Sequence, residues 1–190
     1  MRKGNWMQTA SGKQFWVLDS RPEEVDIEDI ACGLVNNCRY VGQVRPENWF
    51  SVSTHSRVIR EELRRLGFGP HIQLRALLHD APEAYTGDVI RPQKQMPQWA
   101  HYRKMEHAIM DAVCQRFGLP LGDCPQIIKD IDACCLLAER DQLMGPQPAP
   151  WDSYFDNYKP LKVKLVPQAP VAEYKRFMAA FNELYWGEKP

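Results

Sequence analysis

Apolar residues recur along most of this chain at helical spacing. Ile27, Ile30, Ala31, Leu34, Val35 and Cys38 fall on one face of a 3.6-residue repeat. Asp26 is placed to cap the helix they predict, and acidic residues follow in its first turn, where the helix dipole favours them. Segment 39–50, RYVGQVRPENWF, interrupts the repeat at Gly42 and Pro46 and reads as a loop. Ser51 can cap a second helix running to about Leu66 and ended by Gly67 and Gly69. Residues 71–80 predict a third, and Pro82 imposes a break or restart just after Asp80. Two long helices are expected over about 98–117 and 125–144, and a last one over about 171–185. Ahead of them, WMQT (6–9) and QFWVL (14–18) flank the turn sequence Ala10-Ser11-Gly12-Lys13, so the chain opens on a short hairpin. The proline-rich segment 145–170 has few helical cues. It reads as a wrapping arm and not as a domain linker, because only one helix follows it. The pattern predicts a single, essentially all-α domain over residues 1–190, with a small β ornament and no internal repeat.

Composition narrows the functional classes. A chain of 190 residues with 44% apolar content suits one packed core. Its 24 basic residues balance 24 acidic ones, which argues against stable nucleic-acid binding, because coating a polyanion needs a net basic face. A small anionic substrate needs only a few placed cations and stays open. No stretch approaches the ~20 uninterrupted apolar residues of a membrane span, and MRKGNWMQTASGKQFW has no signal-type apolar core. A cytoplasmic protein is expected. Six cysteines form no CxxC and no zinc-finger spacing, so they are expected as reduced, small buried side chains.

Four residues carry candidate chemistry. His55 shares a helix face with Val52, Val58 and Ile59, where a histidine alone is more often a hydrogen-bonded core residue than a ligand. His79 and Asp80 follow the apolar turn LRALL, so an imidazole and a carboxylate arrive together where a helix leaves the core. Asp132 lies four residues from both Ile128 and Leu136, within or beside a buried stripe. A carboxylate there needs a cation or strong donors, which a metal or an internal pair with Arg or Lys would supply. As a set they offer two nitrogens and two carboxylates, a mixture that accepts Mn, Co, Fe, Mg or Zn and leaves positions for water and phosphate oxygens. Other signals are weak. His101 and His107 make no HExxH, and there is no glycine-rich phosphate loop. Asp130, Glu139 and Asp141 read as surface or supporting groups, although Glu139, seven residues after Asp132, lies near the same face.

The order His55, His79-Asp80, Asp132, with HDAPEAYTGDV over 79–89, resembles the HD-domain phosphohydrolase superfamily. Within it the chain looks most like the deoxynucleotide hydrolases, both the bacterial 5′-nucleotidases acting on monophosphates and the compact phage-type dATP triphosphohydrolases. The likeness covers roughly residues 6–145, including WMQT, EEVDIEDIA and KDIDACCLLAERD. It implies a compact HD-type helical bundle with one divalent ion on His55, His79, Asp80 and Asp132. Glu83 and Asp88 would lie over the ion and orient or deprotonate the attacking water. Arg39 would contact the nucleotide, Tyr40 would stack on sugar or base, and Lys94 and Lys129 would bind phosphates. The expected reaction is hydrolysis of a deoxynucleoside triphosphate, with monophosphate hydrolysis and a non-catalytic nucleotide-binding module as the alternatives. The loop CRYVGQV departs from the CRFNGH of many relatives, so Gly42 and Gln43 leave base preference open. The short separation of His55 from the HD pair requires a tight turn at 67–70. Trp151, Tyr154, Phe155 and Tyr158 suit either packing on the same chain or contact between copies, and a homo-oligomer is expected.

Overall fold

The computed structural model describes residues 2–187, and within them the chain is mostly helical. Two short strands, β1 (Met7–Gln8) and β2 (Gln14–Phe15), pair antiparallel with Met7 opposite Phe15. The helices are α1 (Ile27–Asn36), α2 (Val52–Arg65), α3 (Pro70–Leu77), α4 (Glu83–Thr86), α5 (Arg91–Lys94), α6 (Ala100–Phe117), α7 (Gln126–Leu143) and α8 (Pro170–Tyr185). The fold class and the long helices are those expected from the apolar repeat. The strands are shorter than their sequence signals, and the Phe15 ring at the end of β2 stacks on Tyr85, ring centroids 3.7 Å apart. No helix among the described residues is long and apolar enough to cross a membrane.

Local signals act as their chemistry dictates. The Asp26 carboxylate accepts from the Glu28 N–H at the start of α1, and Ser51 Oγ accepts from the Thr54 N–H at the start of α2. Between α2 and α3 the Gly67 N–H bonds to the Arg64 carbonyl and the Phe68 N–H to the Leu63 carbonyl. This paired closure needs a left-handed residue, which Gly67 supplies at φ 83°. The turn is as tight as the spacing of His55 and the HD pair requires.

The third helix differs from its sequence reading. It ends at Leu77 and not at Asp80, and residues 78–82 form tightened turns before α4 restarts the chain. The proline ring of Pro82 disfavours helical geometry at the preceding residue and removes one N–H. His79 and Asp80 are thereby lifted off the helical ladder into the turn.

Two apolar clusters flank this turn. One joins the hairpin, α1, α3, α6 and α8 through Ile30, Leu34, Leu77, Ile109 and Phe177. The other joins α2, α3 and α7 through Ile59, Leu63, Ile128 and Cys135. The arm at 145–170 runs over α7, with Phe155 buried against Ala133 and Leu137, and Leu165 against Ala138. Its aromatics therefore pack on their own chain, and Arg91 lies 4.1 Å from the Tyr154 ring centroid. All six cysteines are free, with Cys114 and Cys135 fully buried and the other four partly so.

Gly33 fixes how closely α4 approaches α1. A Cβ built there would meet the Ala84 carbonyl oxygen at 2.6 Å and its Cα at 2.7 Å. Backbone on both sides leaves no flexible group to give way. Gly33→Ala is expected to cost about 1–3 kcal/mol, lowering Tm by roughly 2–12 °C in a domain of this size. An unchanged thermal transition would show that α4 is not held against α1 in this way.

Candidate metal centre

His55 enters the middle of the bundle from the first turns of α2 and is fully buried. Its Nδ1 lies 2.6 Å from Glu139 Oε1, on α7. An ionised carboxylate can only accept, so Nδ1 carries a proton, and loss of the second ring proton leaves the Nε2 lone pair on the opposite side of the ring. That Nε2 is buried without a hydrogen-bond partner. It lies 3.0 Å from Asp132 Oδ1 and 3.7 Å from Asp80 Oδ2, close but poorly aligned for hydrogen bonding. His79 repeats the arrangement. Its Nδ1 donates to the Ala76 carbonyl at 2.7 Å, and its Nε2 is buried, unpartnered and 3.2 Å from Asp80 Oδ2.

Two imidazoles with their Nδ1 atoms committed and bare Nε2 atoms converging on one carboxylate fit a divalent cation. The ligand atoms of His55, His79 and Asp80 all lie within 4.8 Å of one another. Asp132 adjoins the group through His55 but stands outside that compact set. A second cluster, His55, Cys135 and Glu139, is equally close. It is a poor metal site because the Cys135 thiol, pushed up to about 12 by burial and by Glu139, stays protonated and donates to Glu139 Oε1. Glu139 is instead the carboxylate that orients the His55 ring from behind.

The electrostatics centre on Glu139. Burial acts to raise its pKa, but His55 and Arg39 bring it down to about 2. Tyr40 Oη donates to its Oε2 at 2.6 Å and Arg39 Nε stands 3.5 Å away. Burial and the Arg39 guanidinium act to lower the His55 pKa, yet Glu139, Cys135 and Asp132 outweigh them and hold it well above the ordinary imidazole range. Burial would raise Asp80, but His79, His55 and Arg39 keep it ionised far below the usual carboxylate range. Glu83 goes the other way. Burial and the neighbouring Asp80 charge lift it well above its ordinary value against the pull of Lys94.

Several expected roles change. Glu83 opens α4 directly behind the HD turn, its Oε1 3.0 Å from Lys94 Nζ and its Oε2 buried without a partner. It lines the same cleft as His79 and Asp80. Asp88 does not line that cleft. Its Oδ2 accepts from the Tyr40 N–H at 2.9 Å, because Gly87 (φ 79°) swings the chain toward the 39–42 loop. Tyr40 and Val41 adopt positive φ there, which leaves the Tyr40 N–H facing outward from its own turn. Tyr40 is thus a support for Glu139, with its hydroxyl engaged and Arg39 over its ring at 5.4 Å, and not an open stacking platform. Arg39 is buried 3.7 Å from Asp80 Oδ2 and tied to the site's carboxylates. Lys94 bridges Glu83 and Glu106. Lys129 is exposed on α7 and does not line the cleft, since the first turn of α7 carries it outward. Glu139 carries more than its weak sequence signal suggested. Its one clue was the seven-residue spacing from Asp132, which puts both on one helix face.

Two measurements test the centre. Cation binding to metal-free protein must displace the His55 proton, so affinity is expected to climb by about tenfold per pH unit while pH lies below the raised His55 pKa, and to level off above it. Calorimetry in buffers of different ionisation enthalpy reads the released proton, and a pH-independent affinity would contradict the assignment. Glu139→Gln keeps every ligand atom, yet is expected to weaken cation affinity by about 10–100-fold, read by chelator competition.

No family model matches this chain. Among curated proteins it is 35% identical over 167 residues to the uncharacterized protein RCAP_rcc00048 of Rhodobacter capsulatus, covering 85% of each chain. It is 30% identical over 181 residues to the uncharacterized protein YfdR of Escherichia coli K12, covering 95% of this chain and 96% of that one. The chain belongs to the family that these two proteins represent.

Proposed function

We propose that this protein is a cation-dependent phosphohydrolase of the HD type that acts on deoxynucleoside phosphates, with triphosphates as its preferred substrates. The observation that carries the reading is the convergence of two buried, unpartnered Nε2 atoms on Asp80 at the wall of an open cleft. Bound by His55, His79 and Asp80, with Asp132 alongside, a divalent ion supplies Lewis-acid chemistry that lowers the pKa of a water and draws charge from a phosphoryl oxygen.

The protein's own groups supply the rest. Glu83 Oε2 is free to take the proton of the attacking water, and burial beside the Asp80 charge raises the proton affinity of that carboxylate. Lys94 holds the other oxygen, Oε1, and so orients the carboxylate toward the cleft. In the proposed reaction the water oxygen bonds to the α-phosphorus, the P–O5′ bond breaks, and O5′ departs with a proton that Glu83 can return. A deoxynucleoside and inorganic triphosphate are the products. Arg39 stands beside Asp80 and Glu139 and balances their charge from behind the centre.

Monophosphate hydrolysis is the second reading, and one observation favours it. Lys94 is engaged by two carboxylates and Lys129 lies outside the cleft, so neither is a free clamp for a phosphate chain.

Product analysis by chromatography with a panel of dNTPs and dNMPs and several divalent ions separates the readings. Inorganic triphosphate from dNTPs is expected, whereas turnover confined to dNMPs would select the 5′-nucleotidase. Asp80→Ala should remove both bound metal and activity. Glu83→Gln should retain metal while kcat falls by about 10²–10⁴; full activity in Glu83→Gln would remove the base assignment.

A further inference from the structure

Among the described residues three arginines are buried: Arg39, Arg60 and Arg75. Arg39 lies within 4.0 Å of Asp80 and Glu139, and Arg60 pairs with Glu61 and Glu183. Arg75 is different. It is 4% exposed, yet among the described residues no carboxylate comes within 4.0 Å of its guanidinium. Among the described residues its one side-chain hydrogen bond is weak, from Nη1 to Met110 Sδ at 3.8 Å. A guanidinium carries five N–H donors and cannot shed its charge, so the donors that the protein leaves unpaired are met from the cleft, by water or by a ligand.

Its position indicates which. Arg75 lies in the last turn of α3, four residues before His79 in the turn that follows that helix. Both line the same cleft of about 300 Å³, together with Asp80 and Glu83. Lys94 lines it too but is held by Glu83 and Glu106, which leaves Arg75 as the cleft-lining cation, among the described residues, with uncommitted donors. Asp111 and Asp123 stand on the exposed rim, where water and salt screen them.

We propose that Arg75 is an anion anchor for phosphoryl groups beyond the one held at the metal centre, so that the cleft accepts an oligophosphate chain in preference to a single phosphate. The proposal rests on the phosphohydrolase reading and names the part of the substrate it leaves open. A planar guanidinium pairs bidentately with two phosphate oxygens, and Arg75 lines the same cleft as His79 and Asp80, where the outer phosphates of a chain held at the centre would extend. The anchor would act on the α-phosphate's tail and leave the base and sugar untouched.

The test uses cation-loaded protein. Calorimetry with inorganic tripolyphosphate and with orthophosphate is expected to show tighter binding of the longer anion to the unaltered chain. Equal affinities would overturn the proposal without any variant being made. Arg75→Gln, with its fold checked by circular dichroism, should weaken tripolyphosphate binding by about 10–100-fold and raise KM for dNTPs similarly. KM for dNMPs should change less than about threefold. Arg75→Lys, which keeps the charge but not the fork, should recover part of the loss. Unchanged dNTP kinetics in Arg75→Gln, or an equal loss for mono- and triphosphates, would overturn the proposal while leaving the hydrolase reading intact. Absence of turnover on any nucleotide would overturn the hydrolase reading alone, because tripolyphosphate binding is read separately.

Discussion

The site depends on one buried carboxylate. Glu139 is fully enclosed, and an uncompensated charge there would cost several kcal/mol. The surrounding groups supply the compensation: His55 and Tyr40 each at 2.6 Å, with Arg39 and Cys135 alongside. These partners come from α2, from the loop after α1 and from α7 itself. Docking α2 against α7 therefore requires the polar network to close at the same time as the apolar packing of Ile59, Leu63, Ile128 and Cys135 around it. The network also determines a tautomer. With Nδ1 of His55 donating to Glu139, Nε2 can only face the HD turn.

A second constraint meets the first from the opposite side. Pro82 ends α3 early, and the resulting turn carries His79 and Asp80 out of the ladder while the Ala76 carbonyl fixes the His79 ring. Gly33 lets α4 sit against α1, and Asn37 Nδ2 donates to the Glu83 carbonyl at 3.3 Å. Glu83 is thereby held beside Asp80 in a dry environment that raises its proton affinity. Two carboxylates three residues apart have opposite electrostatic fates. Asp80 faces two imidazoles and Arg39, whereas Glu83 faces the Asp80 charge with Lys94 alone to offset it.

The loop at 39–42 shows how a residue type that suggests substrate contact can be used internally. Arg39 and Tyr40 were expected at the nucleotide. The left-handed backbone of Tyr40 and Val41, held by Asp88 through the Tyr40 N–H, turns the tyrosine hydroxyl inward to Glu139. Asp88 is occupied by the same contact. In the proposed function, positive charge for a phosphate chain comes from Arg75, which has no carboxylate partner among the described residues.

The sequence by itself determined the helices, the hairpin, the caps at Asp26 and Ser51, and the candidate ligands His55, His79, Asp80 and Asp132. Those signals are local: an apolar period, a capping side chain, a proline, or an unusual polar residue on an apolar stripe. The roles of Glu139, Asp88, Tyr40, Lys129 and Arg75 could not be read that way. Each depends on which partner a distant element delivers, and a carboxylate or guanidinium has the same local pattern whether it faces water, a counter-charge or a cleft. Only the tertiary packing of α2, the HD turn and α7 decided which of these charges are paired and which stand open to a ligand, because pairing is a matter of a few ångströms between residues as far apart in sequence as His55 and Glu139.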